Sequence, residues 1–308
     1  MPQSSRLATL LEASLIADSL ALPAHWIYDP EAITRTFGRV DEVVAPPATS
    51  YHAGRPAGAQ THYGDQALTL MDSLVPGQPF DPNAFATRWR AMWADYPGYC
   101  DGATKTTLAN LEAGMPATEA GSPSSDLGGA TRIAPLLVAL ADAPDEVVVE
   151  AARAQTALTH RDVAVSDAAA FLVRATRAVL RGESVPEALA SAAKASYYLL
   201  PVAEQLEAAR AAVSAGDTEA VQALGPACGV SGAFPSMLAL ALAHPNDLEA
   251  ALIANATAGG DSAARGLGLG MILGAAEGAV VPERWRAAWL ARPRVEAFLR
   301  AQEARSPQ

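Results

Sequence analysis

The chain has 308 residues, half of them apolar, and a formal net charge of −11. That length buries one large core or two ordinary ones. The acidic balance excludes a nucleic-acid partner, because nothing would replace the counterions around a phosphate backbone. The two cysteines, Cys100 and Cys228, form no CxxC pair and read as free thiols of a cytoplasmic chain.

Taken in chain order, the periodicity is helical nearly everywhere. Residues 5–20 place Leu7, Leu10, Leu11, Leu15 and Asp18 on overlapping faces, and Pro23 stops that helix. The segment is broken by Glu12 and Asp18 and lacks a small-residue cleavage site, so it reads as a core helix and not a signal peptide. Residues 29–58 are rich in Pro and Gly and read as loop. Helices are expected at about 65–75, 82–95, 103–113 and 130–141, and another after Pro144. The stretch "DEVVVEAARAQ" has some strand character but runs smoothly into a helix. Residues 163–181 set apolar Val165, Leu172 and Val179 against Arg174, Arg177 and Arg181, a solvated edge. Pro186 and Pro201 suit the first turns of further helices. Later helices are expected at about 201–214, 233–243, 246–257, 261–277 and 282–304, with a frayed tail after about 303. No uncharged apolar run reaches the roughly 18 residues of a membrane span, and no repeat is visible. The expectation is an all-α, single-domain protein over residues 1–308.

In helix 261–277, Gly266, Gly270 and Gly274 recur every four residues. Each interior glycine costs about 1 kcal/mol relative to Ala. Three on one face require another backbone packed closely against them, which makes this helix central.

Four loops share a plan, a polar stretch with Asp followed by an apolar helix: "THYGDQALTL", "GYCDGATKTTLANL", "SPSSDLGGATRIAPLL" and "AGGDSAARGLGLG". Asp65, Asp101, Asp126 and Asp261 could each be simple N-caps, worth about 1 kcal/mol. Neighbours without a capping role argue for more. His62, Tyr63 and Gln66 add polar groups beside Asp65, and Arg265 sits against the helix dipole, where it needs a carboxylate or a bound anion as partner. Converging helix N-termini would suit a phosphate, and their carboxylates a hard cation such as Mg²⁺. Asp18, His25 and Trp26 in "ADSLALPAHWIYDP" offer a carboxylate, an imidazole that titrates near neutrality and an aromatic wall; a core Trp with a hydrogen-bonded His is the plainer alternative. His160 in "LTHRD" either satisfies helix-end carbonyls or faces a ligand. His52 and His244 fall in loops and attract no assignment.

Together, "IADSLALPAHWIYD", "THYGDQALTL", "GYCDGATKTTLANL", "DLGGATRIAPLL", "ALTH", "CGVSGAFPS" and "NATAGGDSAARGLGLGMILGAAEG" resemble the ADP-ribosylglycohydrolase family, and within it the branch of the J-type crystallins. The resemblance implies a compact multi-helix bundle with a cleft at helix N-termini. It implies hydrolysis of a glycosidic bond in an ADP-ribosyl or related nucleotide ligand, assisted by two Mg²⁺ ions. Against the family's Thr-Asp-Asp motif this chain has Tyr63-Gly64-Asp65, and against Asp-x-Asp-Thr it has Asp261-Ser262-Ala263-Ala264. Asp18 matches the Asp of the family's first motif, whose later acidic residue is His25 here. About half the oxygen ligands are thereby lost. What remains is one ion between Asp65 and Asp261, or a metal-free site in which Arg265, His62 and His25 replace metal charge. The catalytic candidates are Asp65, Asp261, His25 and His62. Asp18, Trp26, Tyr63, Gln66, Asp101, Asp126, His160 and Arg265 are the ligand-binding candidates. The alternative is a non-catalytic ligand-binding or crystallin-like structural protein of the same fold. Neither reading fixes the oligomeric state.

Overall fold

A computed structural model describes residues 3–304, which form seventeen α-helices and, among these residues, no strand beyond two isolated bridges. The N-terminal half contains α1 (Gln3–Ala21), α2 (Pro30–Phe37), α3 (His62–Ser73), α4 (Pro82–Ala94), α5 (Gly102–Glu112), α6 (Gly128–Thr131), α7 (Ala134–Ala139) and α8 (Asp145–Ala157). There follow α9 (Val163–Leu180), α10 (Val185–Ala192), α11 (Val202–Ala212), α12 (Asp217–Leu224) and α13 (Val230–Ala243). The chain then closes with α14 (Leu248–Thr257), α15 (Ser262–Gly274), α16 (Glu283–Ala288) and α17 (Arg292–Glu303). The expected fraying of the last residues falls mostly on 305–308, outside the described residues.

The axis of the bundle is the pair α1 and α15, and the glycine spacing is its cause. A Cβ on Gly270 would lie 2.4 Å from the carbonyl oxygen of Ala13, and one on Gly274 would lie 2.8 Å from Cα of Leu10. Backbone meets backbone, so no side chain fits between the helices. Every residue of α15 is buried, as expected of a helix apolar all round. Arg6 extends the same seam, since its guanidinium donates to the carbonyls of Ala275, Val179 and Leu180 and so ties α1 to the ends of α15 and α9.

Local chemistry sets most helix starts. Asp29, Asp81, Asp101, Asp162, Asp247 and Asp261 each accept a backbone N–H from the first turn of the following helix. Four departures from the sequence expectation have simple causes. The loop reading of 29–58 missed α2, which Asp29 caps and Pro30 opens. The helix expected at 130–141 is two short ones, broken at Arg132 and Ile133, where the Arg132 side chain turns into the core. The helix expected at 282–304 is also two, α16 and α17, separated where Leu290 N–H donates to the Gly58 carbonyl. α12 was not anticipated. Among the described residues no helix is long and apolar enough to cross a membrane.

Candidate functional site

The loop after α1 and the loop before α15 are zipped together. Trp26 N–H donates to the Gly260 carbonyl at 2.8 Å, and Gly260 N–H donates to the Ile27 carbonyl at 2.7 Å. Trp26 has φ +65°, a left-handed conformation that a bulky residue holds only when its surroundings enforce it. Gly260 takes φ +65° because a Cβ there would strike the Pro226 carbonyl at 2.2 Å. These two loops, the N-terminus of α3 and the segments before α5 and α6 converge on one centre.

Its floor is a group of rings. His25 stacks on Trp26 with centroids 4.4 Å apart, and His62 lies 3.9 Å from Tyr63. His52 lies between His25 and His62, and Tyr51 and Tyr99 set their edges on Trp26 at 5.3 and 4.9 Å. The histidines are buried, Trp26 and Tyr99 are half-buried, and Tyr51 is exposed, so the aromatic group runs from core to surface. Burial, together with the neighbouring His52 and His62 rings, holds His25 well below the ordinary imidazole pKa. Burial and His62 hold His52 down at about 3. Both are therefore neutral near pH 7.

Carboxylates surround this floor. Asp261 is fully buried. It accepts the Ala264 N–H and the Tyr63 hydroxyl, both at 3.4 Å, and lies 3.6 Å from His25 Nδ1. Burial raises it to about 6 against the opposing pull of Cys228 and Arg265. Asp101 caps α5 through Thr104 N–H at 2.6 Å and places its other oxygen 3.1 Å from His62 Nε2. Burial alone would raise Asp101, but His62 and the Thr104 bonds hold it well below the usual carboxylate range. Asp126 is half-buried and raised by burial; its backbone is joined to the Cys228 segment by Leu127 N–H on the Cys228 carbonyl at 2.8 Å. The Cys228 thiol is pushed far above its normal pKa by burial and by Asp261, so it is no thiolate nucleophile.

The remaining sequence candidates lie elsewhere or have other work. Asp65 and Asp261 have separate partners. The Asp65 carboxylate takes the Arg55 guanidinium at 2.5 Å and the Tyr96 hydroxyl at 2.7 Å, in a groove also lined by Asp72, Arg88, Met92 and Arg294. Among the described residues the two carboxylates share no hydrogen-bond partner, Asp261 being held by Ala264 and Tyr63. Arg265 faces protein groups on several sides. It donates to the Gly259 carbonyl at 2.6 Å, the Pro226 and Asn255 carbonyls, and Asn255 Oδ1 at 3.1 Å. Asp18 accepts four donors from residues 60–64 and anchors α3. Gln66 takes Trp89 Nε1 at 2.8 Å and the Arg132 guanidinium on its carbonyl oxygen. His160 is buried, with Nδ1 2.8 Å from Thr159 Oγ1. Sequence reasoning missed His52, Tyr51, Tyr99 and Arg55; the one available signal was the proximity in sequence of His52 to His62, two of only five histidines.

The donor set at the centre is imidazole nitrogen, with one buried carboxylate behind each of His25 and His62. Mg²⁺ demands an octahedron of oxygens, so these residues do not fit a dinuclear magnesium centre.

A sequence model of the ADP-ribosylglycohydrolase family matches residues 2–307. The chain belongs to that family. An uncharacterized protein of Archaeoglobus fulgidus is 28% identical over 275 residues, covering 88% of this chain and 87% of its own. A solved structure described as an ADP-ribosylglycohydrolase-related protein complex superposes with a TM-score of 0.74 at 25% identity, covering 99% of each chain.

Proposed function

We propose that the protein binds an ADP-ribosyl or related ribosyl-nucleotide ligand over the aromatic group and hydrolyses its glycosidic bond. The observation that carries this reading is Asp261, a buried carboxyl raised to about 6 and held by Tyr63 beside His25. A carboxyl poised near neutrality exchanges a proton readily at working pH, and as carboxylate it stabilises the positive charge that develops on the sugar during glycoside cleavage. The Cys228 thiol, which interacts with Asp261, lies 4.0 Å from the hydroxyl of the exposed Tyr28. Trp26, Tyr51 and Tyr99 offer faces and edges on which a nucleobase stacks. Asp65 has no catalytic part in this reading, since Arg55 and Tyr96 occupy its carboxylate.

That same occupation favours a second reading, a crystallin-like, non-catalytic member that binds the ligand without cleaving it. Calorimetry with ADP-ribose, run beside a hydrolysis assay on a panel of ADP-ribosyl conjugates, separates the two. Turnover that vanishes in Asp261→Asn while ADP-ribose still binds supports the first. Binding by the unaltered protein without turnover of any conjugate supports the second.

A further inference from the structure

Three of the five histidines meet at one buried point. A ring nitrogen of each of His25, His52 and His62 lies within 4.8 Å of the other two, and none of these residues is more than 2 % exposed. Their ring centroids are 5.3, 5.6 and 6.4 Å apart. Imidazoles bound to a single ion through nitrogen bonds of about 2.0–2.1 Å hold their centroids roughly 5–6 Å apart. The rings already stand near that separation; drawing their nitrogens, now within 4.8 Å of one another, to the roughly 3.3 Å between ligands of one tetrahedral ion takes a turn of the stacked rings.

The state of the nitrogens is the second observation. Nε2 of His25, Nε2 of His52 and Nδ1 of His62 are buried without a hydrogen-bond partner. A buried polar atom left unpaired normally costs about 1–3 kcal/mol, and each of the three rings carries one. On two of the rings the opposite nitrogen faces a carboxylate, His25 Nδ1 at 3.6 Å from Asp261 and His62 Nε2 at 3.1 Å from Asp101. A carboxylate behind an imidazole is the arrangement that fixes the tautomer and orientation of a metal-binding histidine. His25 Nδ1 accepts the Ala263 N–H at 3.3 Å, so binding an ion through Nε2 requires the ring proton to move to Nδ1, where Asp261 lies as its acceptor.

We propose that His25, His52 and His62 form a binding site for one divalent transition-metal ion of the zinc class. Imidazole selects Zn²⁺ and its neighbours over Mg²⁺ and Ca²⁺, which take oxygen. The site goes beyond the hydrolytic reading and stands whether or not any glycosidic bond is cut.

The test uses the full chain, stripped with a chelator and titrated with Co²⁺ while its visible absorption is followed. The expected result is one Co²⁺ per chain, displaced by Zn²⁺ and untouched by excess Mg²⁺. His52→Ala is expected to weaken Co²⁺ binding by about 100-fold or more, and Zn²⁺ is expected to raise the melting temperature of the unaltered protein but not of this variant. His52 lies outside every helix, and His52→Gln serves if the Ala variant does not fold. His244→Ala, on a surface pair with Asp217, is expected to bind as the unaltered protein does. Failure to bind Co²⁺ overturns the proposal, and so does binding that survives both His52→Ala and His25→Ala. Loss of binding in Cys228→Ser with retention in the histidine variants overturns it as well.

Discussion

The Asp18 carboxylate in α1 accepts both the backbone N–H of Thr61, at 2.7 Å, and its hydroxyl, at 2.5 Å. Two more donors, Gly64 N–H at 3.2 Å and Gln60 Nε2 at 2.6 Å, complete its surroundings. One buried side chain thus fixes the N-terminus of α3, and with it the start of the segment that carries His62 and Tyr63. Asp18→Ala leaves these buried donors unsatisfied. The expected loss of stability is about 3–5 kcal/mol, the range for removing one partner from a buried charged network. Denaturant unfolding at neutral pH measures it. A loss below about 1 kcal/mol would show that α3 starts correctly without this anchor.

The contact of α15 with α1 makes a prediction opposite in sign to helix propensity. Ala is favoured over Gly in a helix interior by about 1 kcal/mol, yet Gly270→Ala would set a Cβ 2.4 Å from the Ala13 carbonyl oxygen. The clash is with backbone in a fully buried seam, so the two helices must separate. A net destabilisation of about 2–4 kcal/mol is expected, in the upper range for overpacking. At Gly266 the nearest atom is the Asn255 side chain at 3.0 Å, and Gly266→Ala is expected to cost less. Melting temperatures of the two variants give the order directly, and equal values would contradict this account of the seam.

Much of this architecture was legible in the sequence. The three spaced glycines identified the central helix, and an Asp ahead of an apolar run marked the helix starts. Local spacing also placed Asp261 correctly at the head of α15. It could not say which caps face each other, because that depends on how far loops fold back. Asp65 follows His62 by three residues in the first turn of α3, yet its carboxylate reaches Arg55 and Tyr96, residues whose positions are set by loops with no periodicity. His52 was invisible for the same reason, since it arrives at the centre from the loop between α2 and α3. Arg265 was rightly identified as needing a partner; its partners proved to be backbone carbonyls and an amide, groups that every sequence position offers and none advertises.

Asp65 and Asp261 are expected to separate in experiment. Asp65→Asn weakens the pairing with Arg55 in a partly exposed groove, where side-chain exposures are 17% and 19%. Its effect should fall on stability, by about 1–2 kcal/mol, with ADP-ribose affinity within about threefold of the unaltered protein. Asp261→Asn removes the charge beside Tyr63 and His25 and is expected to lower turnover by 10²-fold or more, the usual scale for a positioned acid or base. Single-turnover assays on both variants check this. Equal loss of turnover in both would return Asp65 to the site.

Acidification supplies a prediction that isolates one group. Burial, with Arg132 nearby, lowers His160 to about 3 from an ordinary value of 6.5. Between those values the unfolded chain binds a proton at this histidine and the folded protein does not. Stability therefore rises with pH across that window. The penalty is absent above pH 6.5, grows as pH falls, and is complete near pH 3. Asp18 and Asp261, raised to about 6 by burial, act in the opposite sense between about 4 and 6, so the pH profile of the whole protein mixes signs. Comparison with His160→Asn cancels those shared contributions. Whatever the difference in stability at pH 7.5, it should move in the variant's favour by about 1.4 kcal/mol for each pH unit below 6.5. Urea unfolding at pH 7.5, 6.0 and 5.0 reads the slope. Parallel stability curves would mean that His160 accepts its proton without leaving its place against Gly129 and Thr159.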